Sequence, residues 1–518
     1  MTEAELALGR PTHVAAPVRA FAVSRTLAIS AALGAICGLG FFLRLWELNA
    51  FGFNSDEAVY AGQAASIADH PDLKEFFPTF RAHPLLFQTI LSVGYHLGGY
   101  DLFGRIVSAV FGIATVLLVY KAGKILYSTS AGLIAALFMA LMPYHVVVTR
   151  QVLLDGPMVF FATLSLCLVA MYATTAQPVW LYAAGAAMGC TVLAKETSIL
   201  LVGSLYAFFA LAAKIRVRIR DLVFSLGCMG AVVVFFPISM KFGGKPETGG
   251  QYLAWQLFRR PNHDWVFYGI EVPRAVGYLV LAAAVLGVIV FWAERSWREK
   301  LLLTWIAVPV AFFELWPVKG FQYLLPVAPA IAVLAGMFFG RWWSRCDERI
   351  QKVALGSIVA AVACTLLVNS WERIQPPTDG TFLAGSGGVP GGREAGHWIA
   401  THVPEGAEML TVGPSMANIV QFYGHRKAYG LSVSPNPLRR NPAYEPVDNP
   451  DLRIRNNELQ YVVWDSFSAA RSPFFSKKLL RYADRYNGRA IHTQSIAART
   501  ASGGTTRVPL IIVYAVRP

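Results

Sequence analysis

Four polar groups interrupt an otherwise apolar sequence, and their side chains could together move a proton and hold an anion. The first is Asn54-Ser55-Asp56-Glu57, with Tyr60 four residues after Asp56 and therefore on the same face of a helix. The second runs from Arg150 to Asp155-Gly156-Pro157, and the third is Lys195-Glu196. The fourth extends from Glu314 through Trp316, Pro317 and Lys319 to Tyr323. A carboxylate can take the proton of a hydroxyl group, and Lys or Arg can hold a phosphate. Each group also has a plainer reading. Asp56 and Asp155 stand where acids stabilise helix starts, and Lys195-Glu196 can be a local ion pair. Trp316, Lys319 and Tyr323 can be an interfacial anchor.

The elements that must position these groups are membrane helices. Of 518 residues, 55% are hydrophobic and only 15% charged, with a mean hydropathy of +0.46. Soluble domains carry roughly 25% charged residues, so too little polar material is present to cover a water-exposed surface. The apolar residues come in blocks near the roughly 20 residues that span a bilayer as a helix. The net charge of +14 sits between these blocks. That placement points to lipid headgroups rather than nucleic acid as its partner. Five of the six cysteines (Cys37, Cys167, Cys190, Cys228 and Cys364) lie inside apolar blocks and Cys346 lies in a basic turn; none has metal-ligand spacing, so they are assigned to packing.

Residues 1–25 are basic and read as a cytoplasmic N-terminal segment. The following run ends in bulky Phe41-Phe42-Leu43 without a cleavage pattern, and so reads as an uncleaved first helix. About eleven helices are expected between residues 26 and 370. With the N-terminus inside, basic residues gather at inside turns: Lys121 and Lys124, Lys214–Arg220, Arg295–Lys300 and Arg341–Lys352. All four polar groups then fall on the outer side. Residues 46–102 form an outer loop in which apolar 84–98 is too short to cross and lies along the interface. Residues 371–392 read as a linker. Residues 393–518 read as an extracytoplasmic α/β domain, with EAGHWIATH helical and MLTVG, YVVWD and LIIVYAV as strands. The expected protein is a multi-pass cell-membrane protein of α-helical class.

DEAVYA in the first outer loop, RAHPLL after it, RQVLLDGP, VLAKE and FQYLLPVAPAIAVLAG occur in that order. Together they resemble the family 39 type of GT-C glycosyltransferase, a superfamily that includes protein O-mannosyltransferases and the aminoarabinose transferase of lipid A. The resemblance implies sugar transfer from a polyprenyl-phosphate donor to a glycan, lipid or protein hydroxyl. It implies Asp56 as general base, with Glu57 beside it and Asp155 as a second acid of the pocket. His83 falls where relatives often carry Lys or His before Pro, although Leu85 stands here in place of their second proline. Lys195, Lys319 and Tyr323 resemble contacts to the carrier phosphate, and Tyr60, Arg150 and Glu196 join them as binding candidates.

This chemistry suits the residue types. A base raises the nucleophilicity of the acceptor, and cations stabilise a phosphate whose charge grows as it leaves. One base without a second nucleophile implies a single displacement with inversion. Asp56, Glu57 and Asp155 could hold a divalent metal through oxygen, but no spacing demands one. A secondary transporter or flippase is the chief rival. Such proteins often show duplicated halves and acids at mid-helix, whereas no repeat is apparent here and the acids lie in loops.

Overall fold

The computed structural model describes residues 16–79, 82–97, 101–242, 251–252, 255–376, 389–499 and 504–517. Most of the expected cytoplasmic segment and of the 371–392 linker lies outside these residues. Among the described residues, six helices are long and apolar enough to cross a membrane: Thr26–Leu45, Leu102–Leu126, Asp155–Thr175, Ile219–Phe242, Phe321–Arg345 and Arg349–Ile374. Shorter apolar helices, Thr129–Leu141, Pro178–Ala194 and Glu196–Leu211, pack among them. The helix Trp297–Leu315 begins with a capping box between Ser296 and Glu299.

Two apolar stretches are broken, each for a backbone reason. The helix Thr129–Leu141 stops at Leu141 and the chain restarts as Pro143–Val148, with the proline at its first turn. Further along, two helices, Phe267–Val276 and Tyr278–Val290, are bent by 97° at a single residue. Gly277 between them takes φ +97°, a conformation that side chains resist. Residues 84–98 contain the helix Leu86–His96, 11 residues or about 16 Å, too short to span.

Glycines bring the central helices together. A Cβ at Gly132 would meet the Tyr120 carbonyl at 2.5 Å, and one at Gly336 the Ala131 carbonyl at 2.4 Å. Such contacts let helices approach where no hydrophobic effect pulls them together. The basic turns share one end of the bundle. Lys300 Nζ donates to the Leu211 carbonyl at 2.8 Å, Tyr172 Oη to the Arg216 carbonyl at 3.1 Å, and Arg341 to Glu299 at 2.9 Å.

The C-terminal domain opens with the helix Gly392–His402 and contains five strands: β1 (Glu408–Thr411), β2 (Lys427–Gly430), β3 (Tyr461–Asp465), β4 (Arg489–Arg499) and β5 (Thr505–Ala515). Their order is β2-β1-β3-β5-β4, with β1 parallel to β2 and β3, and β5 antiparallel to β3 and β4. The sequence pattern yields the inner strands β1, β3 and β5 but not the edges. β2 is short and β4 largely polar, as edge strands are.

This domain shares a hydrophobic core with the first outer loop. Phe53, Phe77 and Phe87 from the loop pack with Ile399, Met416 and Phe422 from the domain. Rings of Phe53 and Phe422 lie 5.2 Å apart, and Gly52 abuts Arg393 so closely that a Cβ would come within 2.6 Å. Loop and domain therefore form one packed body over the polar end of the bundle.

Candidate active site

The first outer loop turns into the helix Ser55–Ile67 at Asn54. The Asn54 side chain accepts from the N–H groups of Asp56 and Glu57, both at 2.9 Å, and Glu57 returns a bond from Asn54 N–H at 3.0 Å. Glu57 does more than cap. Its carboxylate is fully buried, receives Arg105 Nε and Nη2 at 2.8 Å each, and accepts from Val152 N–H at 2.9 Å. Arg105 also donates to the carbonyls of Leu48, Phe51 and Gly52. Asn54 Nδ2 adds a bond to Gln151 Oε1 at 2.8 Å. Glu57, which the family resemblance sets beside the base, is thus the centre of a clamp joining the outer loops; its oxygens are occupied. Asp56, on the same helical turn, stays partly exposed.

Opposite that clamp, Lys195 Nζ donates to Asp155 at 2.8 and 2.9 Å, with both residues buried. Lys195 is placed by the end of the helix Pro178–Ala194, where its backbone turns extended. Asp155 opens the helix Asp155–Thr175. Lys195 also sits 5.0 Å from the ring centre of Tyr323. A small cavity of about 10 Å³ borders Asp155, Lys195, Ser198, Phe313 and Tyr323. Next to it, His83 Nδ1 lies 2.9 and 3.0 Å from the Glu196 carboxylate oxygens. The Tyr252 hydroxyl approaches His83 Nε2 at 3.4 Å.

These groups act on one another electrostatically. Asp155 lies within reach of the charges of Asp56 and His83. Tyr60 lies within reach of Asp56, Tyr252, Asp155 and Glu196. Tyr323 feels Lys195, Arg259, Asp155 and Asp56. Seven expected residues (Asp56, Tyr60, His83, Asp155, Lys195, Glu196 and Tyr323) therefore meet at one polar end of the bundle. Tyr252, Gln256 and Arg259 join them unforeseen. Gln256 Nε2 donates to Tyr252 Oη at 2.7 Å, and Arg259 donates to Gln256 Oε1 at 3.0 Å. Their stretch reads in sequence only as a polar loop. Arg105 carried a signal that was available, an arginine inside an apolar span.

Two expected binding residues donate to backbone carbonyls. Arg150 donates to the carbonyls of Leu43 and Trp46, both at 2.6 Å, and so closes the end of the first helix. Lys319 Nζ donates to the Glu314 carbonyl at 2.7 Å and lies 5.4 and 5.1 Å from the rings of Trp265 and Tyr268. It caps the helix Trp297–Leu315, reaching also the carbonyl of Phe313 at 3.4 Å, a residue that borders the cavity beside Lys195. Among the described residues, no group of three His, Cys, Asp or Glu side chains converges as metal ligands do. The carboxylates of Glu57 and Asp155 instead face Arg105 and Lys195.

Comparison with known proteins bears on this arrangement. The sequence model of the family described as dolichyl-phosphate-mannose-protein mannosyltransferase matches residues 82–240. The match takes in His83, Asp155, Lys195 and Glu196 but not Asp56 or Tyr323. No curated protein matches the sequence. Among solved structures, ArnT from Cupriavidus metallidurans in the apo state superposes with a TM-score of 0.66 at 15% identity, covering 95% of this chain and 98% of that one. The same protein bound to undecaprenyl phosphate gives 0.65 at 15% identity, with the same coverage. The oligosaccharyltransferase AglB from Archaeoglobus fulgidus, in complex with an inhibitory peptide and a dolichol-phosphate, gives 0.60 at 12% identity, covering 93% of this chain and 74% of that one.

Proposed function

We propose that this chain, a multi-pass membrane protein with the fold of GT-C glycosyltransferases, transfers a sugar from a polyprenyl-phosphate carrier to an acceptor hydroxyl at the extracytoplasmic face. The observation that carries the reading is the meeting of Asp56 with the Asp155–Lys195 pair, from loops 99 positions apart or more in sequence, beside a cavity at the polar end of the bundle. Lys and Arg clusters gather at the other end, which the positive-inside rule assigns to the cytoplasm.

In this reading the acceptor hydroxyl gives its proton to Asp56 while its oxygen bonds to the anomeric carbon. The bond from that carbon to the carrier phosphate breaks, and its electron pair leaves on the phosphate oxygen. Asp56 suits the base because it is the partly exposed acid of its helical turn, whereas Glu57 is occupied. Lys195 and Arg259, with the Tyr323 hydroxyl between them electrostatically, supply positive charge and a donor for the leaving phosphate. Asp155 orients Lys195 through two hydrogen bonds. Attack opposite the leaving group inverts the anomeric centre.

The test uses purified protein in lipid with polyprenyl-phosphate sugars and hydroxyl acceptors. Asp56→Asn is expected to lower transfer by about 100-fold or more, the usual range for a general base. Undiminished transfer in that variant removes Asp56 from the mechanism, and absence of both transfer and carrier release across donors removes the activity.

A further inference from the structure

A second cavity, of about 290 Å³, lies between the first outer loop and the C-terminal domain. Lys74, Glu75 and Pro78 border it from the loop, and Gln421, Tyr429 and Tyr444 from the domain. Asn418 also lines it, and Asn418 Nδ2 donates to Ser55 Oγ at 2.9 Å, one residue before Asp56. The cleft therefore adjoins the helix that presents the proposed base. Its volume stands at the bottom of the range of about 300–1,000 Å³ for pockets that enclose small ligands, so it has room for about one or two sugar rings of a longer chain.

The lining states what it would take. Its charges are two cations, Lys74 and Lys427, and two anions, Glu75 and Glu445. Lys427 pairs with Glu445 at 3.4 Å, and Lys74 pairs with Asp69 at 2.9 Å. An anionic ligand finds no surplus positive charge here. Amide groups of Asn418 and Gln421 and the phenol of Tyr444 set polar atoms beside the aromatic surface of Tyr429, whose own hydroxyl donates to Glu408 Oε1 at 3.2 Å. Such a mixture matches a chain rich in hydroxyl groups and without charge.

We propose that this cleft is an acceptor subsite holding a neutral glycan chain by rings remote from the one that reacts. The inference rests on the transferase reading and specifies its acceptor. Full-length protein in lipid is supplied with donor and with neutral oligosaccharides of increasing length, and carrier release without acceptor is measured in parallel. Wild-type KM is expected to fall with acceptor length. In Tyr444→Ala and Gln421→Ala the ratio of long-acceptor transfer to carrier release is expected to fall about tenfold, with the loss in KM. A KM that ignores acceptor length overturns the subsite, as does a hydroxyl-bearing peptide or phosphorylated lipid whose KM responds to the same variants. Saturation-transfer NMR with the neutral oligosaccharide alone separates the two readings. Binding lost in Tyr444→Ala upholds the cleft even where no donor is turned over, and binding indifferent to both variants sinks it.

Discussion

Asn418 of the C-terminal domain and Ser55 of the first outer loop, 363 positions apart, are joined by one buried hydrogen bond of 2.9 Å. Nearby, Phe53 N–H donates to Tyr423 Oη at 2.9 Å. The helix that carries Asp56 is thus held from above by the domain and from below by Arg105 and Gln151.

Asn418→Ala leaves the Ser55 hydroxyl without that donor and is expected to destabilise the loop by about 1–3 kcal/mol. Because Asp56 is the next residue, kcat should fall by about tenfold or more while affinity for the carrier phosphate holds. Parallel measurement of kcat and of polyprenyl-phosphate binding checks this. A fall in both together would make the contact a general prop for the bundle.

Asp56 and Glu57 are neighbours with opposite expected signatures. Asp56→Asn should lose activity at little cost in melting temperature. Glu57→Gln strips a buried Arg105 of its counter-charge, a change that typically costs about 3–5 kcal/mol, and should lower the melting temperature sharply. Thermal unfolding in detergent separates them.

Asp155 and Lys195 form a buried pair, with side chains 3% and 8% exposed. Removing one partner strands the other charge away from water. Lys195→Met should therefore destabilise by about 3–5 kcal/mol, and Asp155→Asn with Lys195→Met should restore much of that loss. Transfer should stay strongly reduced in the double variant, since the phosphate has lost one of its two cations and keeps only Arg259. A double-mutant cycle of melting temperature and activity reads both effects.

Asp465, at the end of β3, is fully buried, and its Oδ2 has no hydrogen-bond partner among the described residues. Burial pushes its carboxyl up to about 6, against a small opposing effect of the Ser468 N–H, which Oδ1 accepts at 2.6 Å. The folded domain thus holds the proton more tightly than the unfolded chain does. Its contribution to stability is full below the ordinary carboxylate range and is lost as pH rises through 6, by about 3 kcal/mol in all. Asp465→Asn keeps the capping acceptor without the charge. It should stabilise the protein at pH 7.5 relative to wild type and have little effect at pH 4, as thermal unfolding at the two values will register.

Much of the architecture was legible in the chain because a bilayer admits few solutions. Apolar runs near span length must be helices, basic turns sort to one side, and Met409–Gly413, Tyr461–Asp465 and Leu510–Val516 are apolar enough to read as strands of a sheet interior. Residue type and order also brought out Asp56, Asp155, Lys195 and Tyr323, since ionisable groups at membrane depth are rare and conspicuous. What a side chain does once there depends on which backbone and side-chain atoms surround it, and these come from remote positions. Only the tertiary structure decided that Glu57 faces Arg105 and Val152, that Arg150 and Lys319 close helix ends, and that Tyr252, Gln256 and Arg259 complete the polar cluster. The bond from Asn418 to Ser55 is likewise invisible in sequence, because a hydrogen bond is fixed by distance and angle between atoms and leaves no periodic trace in the chain.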